Sequence, residues 1–133
     1  MSDNIEIKVV KDEEELLANW YLIKQVPLIN VLHRDLLILC LQGKAVMMTG
    51  WLDGERNAIG IVERHGDNMS VLALNAKNGT RELMTAFYDW AYSIGIKRMT
   101  MMSTFNREAY ERLFSVKHLT SIYEKDLTQW QPQ

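Results

Sequence analysis

The sequence has a single cysteine, Cys40, so no disulfide can form within the chain. It has no excess of either charge. Lys and Arg number 15 against 17 Asp and Glu, a net charge of −2, and that balance supplies none of the basic footprint a duplex-binding domain needs. No nucleic-acid partner is therefore expected. Long apolar runs are missing too: the longest, Leu36-Leu37-Ile38-Leu39-Cys40-Leu41, has six residues, far short of the roughly 20 that cross a bilayer as a helix. No membrane partner is expected either. The opening Met1-Ser2-Asp3-Asn4 lacks the positive and apolar segments of a secretory signal, which predicts a cytoplasmic protein. Internal repeats, low-complexity tracts and linker-like stretches are absent. Cys40, within the apolar run and without an evident partner, reads as a small buried hydrophobe rather than a nucleophile.

What the chain has is an ordinary globular composition. Its 133 residues are 47% apolar and 24% charged, which excludes disorder and predicts one domain over residues 1–133. Ile5, Ile7 and Val9 alternate with polar neighbours, the period-2 pattern of a half-buried strand. Asp12 and Glu15 form a D-x-x-E capping signature ahead of Leu16, Leu17, Trp20, Tyr21 and Ile23 at helical spacing, and Pro27 ends that helix. Asn30 is placed to cap a second helix over 31–42, although the dense run from Leu36 also suits a buried strand; Gly43 ends it either way.

Asp53-Gly54 and Gly66-Asp67-Asn68 then divide 44–76 into three apolar stretches, about 45–52, 57–65 and 69–76, which predicts an antiparallel meander. After Gly79, Thr80 is placed to cap a helix whose stripe is Leu83, Phe87, Trp90 and Ile94, with Ala86 and Ala91 beside it, until Gly95. Residues 96–103 read as a strand, 106–116 as a helix with the pairs Arg107/Glu111 and Glu108/Arg112, and 119–127 as a last strand. Residues 129–133 read as a frayed tail. Met99, Met101 and Met102, with Met47 and Met48, are read as core fillers.

The order β-α-α-β-β-β-α-β-α-β resembles the GNAT-type N-acetyltransferase fold over nearly the whole chain. Three motifs carry the resemblance: Gly79-Thr80-Arg81-Glu82-Leu83 opening the third helix, Trp90-Ala91 with Ile94-Gly95-Ile96 closing it, and Asn106-Arg107-Glu108-Ala109 opening the fourth. Trp51-Leu52-Asp53-Gly54-Glu55-Arg56 resembles the meander turn of small bacteriophage-encoded GNAT-like proteins. The resemblance implies a mixed, mostly antiparallel α/β sheet with helices on both faces. It also implies acetyl-CoA as co-substrate, an amine acceptor, and a cleft where the strand ending at Ala76 splays from the one starting at Ile96.

The physical reason for a site there is independent of the family. A helix N-terminus presents orphan backbone N–H groups and the positive end of the macrodipole, a ready cradle for a pyrophosphate. The candidate cofactor-binding residues are Leu74, Ala76, Lys77, Asn78, Gly79, Thr80 and Arg81, together with Asn106. The family turn reads Arg/Gln-x-x-Gly-x-Gly/Ala. Here a single glycine survives in either register, with Lys77 and Arg81 as compensating cations. Gly79 also suits a ligand-free strand-to-helix turn, and Asn106 is also a good helix cap.

Proton transfer to and from the reacting groups points to Glu63, on the same strand face as Ile59 and Ile61, and to Tyr110, which sits one turn before the position, Leu113, where the family often has tyrosine. His33, His65 and His118 are isolated, so no metal is implied, and no serine stands in a G-x-S-x-G elbow. The competing expectation is a catalytically inactive GNAT-fold protein, a phage accessory or virion component acting through protein contacts. A weaker one is a CoA- or nucleotide-binding regulatory module. The last strand could also pair with a second copy as a homo-oligomer.

Overall fold

In a computed structural model, residues 4–26, 28, 32–77, 79–102, 117–118 and 122–133 are described. The chain opens with strand β1 (Ile5–Val9), followed by helices α1 (Glu13–Ile23) and α2 (His33–Leu41). A meander of β2 (Val46–Leu52), β3 (Glu55–His65) and β4 (Asn68–Ala76) leads into helix α3 (Thr80–Ser93). Strands β5 (Arg98–Met102), β6 (Lys117–His118) and β7 (Ile122–Asp126) complete one sheet in the order β1-β2-β3-β4-β5-β7-β6. Only β4 and β5 pair in parallel; the other ladders are antiparallel. The expected mixed α/β sheet with helices on both faces is therefore present. The helix expected over 106–116 lies outside the described residues.

Alternating side chains divide the core between the two faces. Val62, Val71, Met99 and Met101 pack against Met84, Phe87, Tyr88 and Ala91 of α3. Ile59, Ile61 and Ala73 pack on the other face, against Leu16, Trp20 and Ile23 of α1 and Leu36 of α2. Met47, Met48, Met99 and Met101 are all at most 4% exposed, so these methionines are core.

Local chemistry explains most boundaries. Asp12 caps α1 as its motif requires: Oδ1 accepts the Glu15 N–H at 2.7 Å. Asp53 (φ 52°) and Gly54 (φ 82°) give the β2–β3 hairpin the doubly left-handed turn that matches strand twist. The run from Leu36 is helical, as the second helix expected over 31–42 requires, and is not a buried strand. Several other expectations are corrected. The N-cap of α2 is Leu32, with no side-chain cap; Asn30 lies outside the described residues. The N-cap of α3 is Gly79, in a left-handed conformation, so Thr80 is the first helical residue and not a cap. The buried stripe of α3 runs through Leu83, Met84, Phe87, Tyr88 and Ala91, and Ile94, 37% exposed, is the C-cap beyond the last helical residue, Ser93, so it does not continue the stripe.

The C-terminal tail is docked rather than frayed. Asp89 accepts the indole N–H of Trp130 at 2.8 Å and the backbone N–H of Gln133 at 3.1 Å. The Trp130 ring stands edge-on to Tyr88. A lone aromatic in a polar tail gives no periodic signal, which is why the contact was not legible in the sequence.

Candidate functional site: the open end of the sheet

The parallel β4–β5 ladder is short. It runs from Asn68↔Arg98 to Val71↔Met101, yet β4 continues to Ala76, paired there with β3 alone. At the parting point the β3–β4 register slips: Ile61 faces Ala73 while Val62 faces Val71, so Leu72 is an extra, bulged residue. A bulge bends its strand and raises its twist, and the described β4–β5 ladder ends at this point. From Leu72 to Ala76, β4 has no strand partner on its β5 side among the described residues. Its backbone N–H and C=O groups there face the split with no ladder to satisfy them.

The strand then delivers the chain to the start of α3. The Lys77 N–H donates to Asn57 O at 2.8 Å, fixing the exit from β4 to a second bulge, in β3. Gly79 adopts φ +64°; a Cβ added there would lie 3.0 Å from Leu52 Cδ2, so glycine is needed both for backbone and for space. Gly79 O accepts the Leu83 N–H at 2.9 Å and starts the helix. No side chain among the described residues caps it, and the first-turn N–H groups of Thr80, Arg81 and Glu82, like those of any helix start, have no intrahelical partners. Lys77 and Arg81 are exposed and form no ion pair among the described residues. Glu82 is the discordant member: its Oε2 lies 3.6 Å from the Gly79 Cβ position, so one carboxylate shares the cradle with two cations.

The remaining candidates fall elsewhere. Leu74, Ala76 and Thr80 line a small apolar cavity of about 30 Å³ between sheet and α3, with Gly50, Leu83 and Met84. These three residues therefore border the packing between sheet and helix. Asn78, Asn106 and Tyr110 lie outside the described residues. Glu63 sits at the opposite, closed end, opposite Ser70, with its Oε1 2.9 Å from His65 Nε2. Its side chain is 23% exposed, and Ser70 Oγ accepts from Thr100 Oγ1 at 3.4 Å beside it. The Glu63–His65 contact was not read from the sequence, although spacing of two along a strand puts both on one face.

Arg56 was not singled out as a functional residue. At the start of β3 it donates to Asn19 Oδ1 and, at 3.2 Å, to the Tyr21 hydroxyl, both on α1. No group of three or more His, Cys, Asp or Glu able to hold a metal exists among the described residues. No described helix is long and apolar enough to cross a membrane.

Compared by sequence, the chain matches no family model and no curated protein. Compared by structure, it is similar to a probable acetyltransferase from Staphylococcus epidermidis, with a TM-score of 0.68 and 13% identity over 94% of this chain and 100% of that one. The fold is that of the GNAT acetyltransferases. The ribosomal-protein-S18-alanine N-acetyltransferase from Escherichia coli matches at TM-score 0.64 and 12% identity, over 88% of this chain and 80% of that one. A GNAT-family acetyltransferase from Brucella melitensis, solved in complex with acetyl-CoA, matches at TM-score 0.58 and 11% identity, over 98% and 92%. The GNAT fold thus rests on shape, at identities where sequence alone finds no relative.

Proposed function

We propose that the protein is a GNAT-fold acyltransferase that transfers the acetyl group of acetyl-CoA to an amine. One observation carries the reading: a stretch of β4, 72–76, that has no strand on its β5 side among the described residues leads directly to a helix N-terminus at Gly79 without a side-chain cap. Coenzyme A has both complements, amide groups that hydrogen-bond like a strand and a pyrophosphate that suits orphan N–H groups. The neighbours solved with CoA or acetyl-CoA support the same ligand.

In this reading the N–H groups of Thr80, Arg81 and Glu82 and the charges of Lys77 and Arg81 hold the pyrophosphate, and Asn78 and Asn106 are proposed as further cofactor-binding residues. The edge of β4 from Leu72 to Ala76 orients the pantetheine arm. Acetyl-CoA supplies the activated acetyl group when bound. The new bond joins the acceptor nitrogen to the acetyl carbon, the carbon–sulfur bond breaks, and the amine proton must reach a base while the thiolate gains one. Glu63 is proposed as that base and Tyr110 as the acid. Glu63 lies two residues behind the bulge, roughly 7 Å along the strand, so it serves through a bridging water and hands its proton on to His65. The acceptor is a basic amine, delivered to the split in the cytoplasm.

A second reading is favoured by the incomplete cradle and by exposed apolar residues on α1 and α2. The turn has one glycine and holds Glu82, and Leu17, Tyr21, Ile38 and Leu41 are each more than 40% exposed. A phage accessory or virion protein that keeps the GNAT fold for protein contacts would present such a face. Release of free thiol from acetyl-CoA, in the presence of a panel of amines, separates the two. Amine-dependent release that Gly79→Val abolishes supports transfer; no release with any amine supports the accessory reading.

A further inference from the structure

Arg56 is a half-buried cation with only neutral partners. Its Nη1 donates to Asn19 Oδ1 and its Nη2 to the Tyr21 hydroxyl. No carboxylate among the described residues pairs with it. The arrangement is built rather than incidental. Asn19 is 6% exposed, and its Nδ2 is committed to Glu15 O at 2.8 Å, which turns Oδ1 toward the guanidinium. Two of the five guanidinium N–H groups are thereby engaged and three are free. A planar fork fixed before ligand arrives, with donors to spare and no counter-charge, matches a carboxylate. On the same face, across the ladder from Arg56, Trp51 carries Lys8 over its ring at 4.6 Å and adds positive potential.

Position sets the size of the ligand. Arg56 lies at the open end, on the face covered by α1. Ala58 pairs with Ala76, and the bulge at Leu72 is four residues back along β4. With the bulged Asn57 discounted, Arg56 is one ladder step beyond Ala58, so five steps of about 3.3 Å put its backbone roughly 17 Å along the ladder from the bulge where the split opens. A free amino acid cannot span that, because its amine and carboxylate share one carbon. An extended polypeptide spans it in five residues. We propose that Arg56, held by Asn19 and Tyr21, anchors an acidic side chain about five residues from the acetylated amine of a polypeptide acceptor. The proposal rests on the acyl-transfer reading for the location of the amine, but not for the anchor itself.

The test uses unblocked octapeptides of Gly and Ser carrying one Glu, either sixth or second from the free amine, and the same peptides with Gln. Binding is followed by calorimetry without thioester, and turnover by thiol release with acetyl-CoA. The expected result is at least tenfold higher kcat/KM, and at least fivefold tighter binding, for the sixth-position Glu peptide over its Gln twin, with no such gain at the second position. Arg56→Gln brings the ratio to about one. If that variant does not fold, Arg56→Lys, which keeps the charge without the fork, brings it to about threefold or below. Equal behaviour of the Glu and Gln peptides, an equal gain at the second position, or a ratio that survives Arg56→Gln overturns the proposal. No turnover and no CoA binding, with the Glu-over-Gln binding ratio intact, sinks the acyl-transfer reading and leaves the anchor standing.

Discussion

The two ends of the sheet differ in how their backbone groups are satisfied. At the closed end β4 and β5 are hydrogen-bonded, Met99 and Met101 fill the layer beneath α3, and the tail locks onto Asp89. At the open end, among the described residues, β4 runs past its last pair with β5 with no strand on that side, and α3 begins at Gly79 without a side-chain cap. Unsatisfied backbone polar groups cost free energy wherever water cannot reach them. Their concentration at one end, on a strand and helix held rigid from the other, is what a site for a ligand rich in amides and phosphates requires. Stability and ligand binding should therefore separate along the strand direction.

The largest expected effect is at the closed end. Met99→Ala empties a fully buried position and should lower unfolding free energy by about 2–5 kcal/mol in denaturant melts. A cofactor-induced rise in Tm should survive in whatever fraction stays folded. Gly79→Val comes next and should do the reverse. A left-handed backbone costs a branched residue roughly 1–2 kcal/mol, the new side chain meets Leu52, and cofactor binding should vanish. If Gly79→Val kept full CoA affinity, the open end would not be the site.

Asp89→Ala should cost about 1 kcal/mol, seen as a lower Tm and faster proteolysis of the tail, since it removes the acceptor for Trp130 and Gln133. Removing the open-end cations, with Lys77→Ala and Arg81→Ala together, should change stability by less than about 0.5 kcal/mol while weakening CoA binding several-fold and flattening its salt dependence. Cys40 gives the smallest effect. Burial pushes its thiol up to about 11, so the folded state disfavours the thiolate. Its contribution to stability is present below pH 9 and is lost as the pH rises toward 11. Alkylation by iodoacetamide at pH 8 should be slower in the native protein than in urea.

The sequence was most legible where a local rule acts alone. The alternation at Ile5, Ile7 and Val9, the Asp12 cap and the Asp53-Gly54 turn each specify their element within a few residues. The β4–β5 adjacency expected from strand–turn–helix order is present, and among the described residues their ladder ends at Val71↔Met101 while β4 runs on to Ala76. Tertiary contacts were not legible. The bulge at Leu72 is a matter of strand register and the Glu63–His65 contact spans two positions, while the Asp89–Trp130 clasp and the Arg56 bonds to Asn19 and Tyr21 join residues 35 or more positions apart. Thr80 and Asn30 were expected as caps from residue type alone. Side-chain capping is one of several ways to start a helix, and at Gly79 backbone conformation does it instead.

The central claim is that the open end of the sheet is a coenzyme A site. A thermal-shift titration with acetyl-CoA and with free CoA tests it most directly. A ligand that binds only the folded state adds RT ln(1 + [L]/Kd), roughly 2.7 kcal/mol at 100 times Kd. The account predicts a saturable rise in Tm with both ligands that Gly79→Val abolishes. No shift at millimolar ligand, or an equal shift in Gly79→Val, would contradict it.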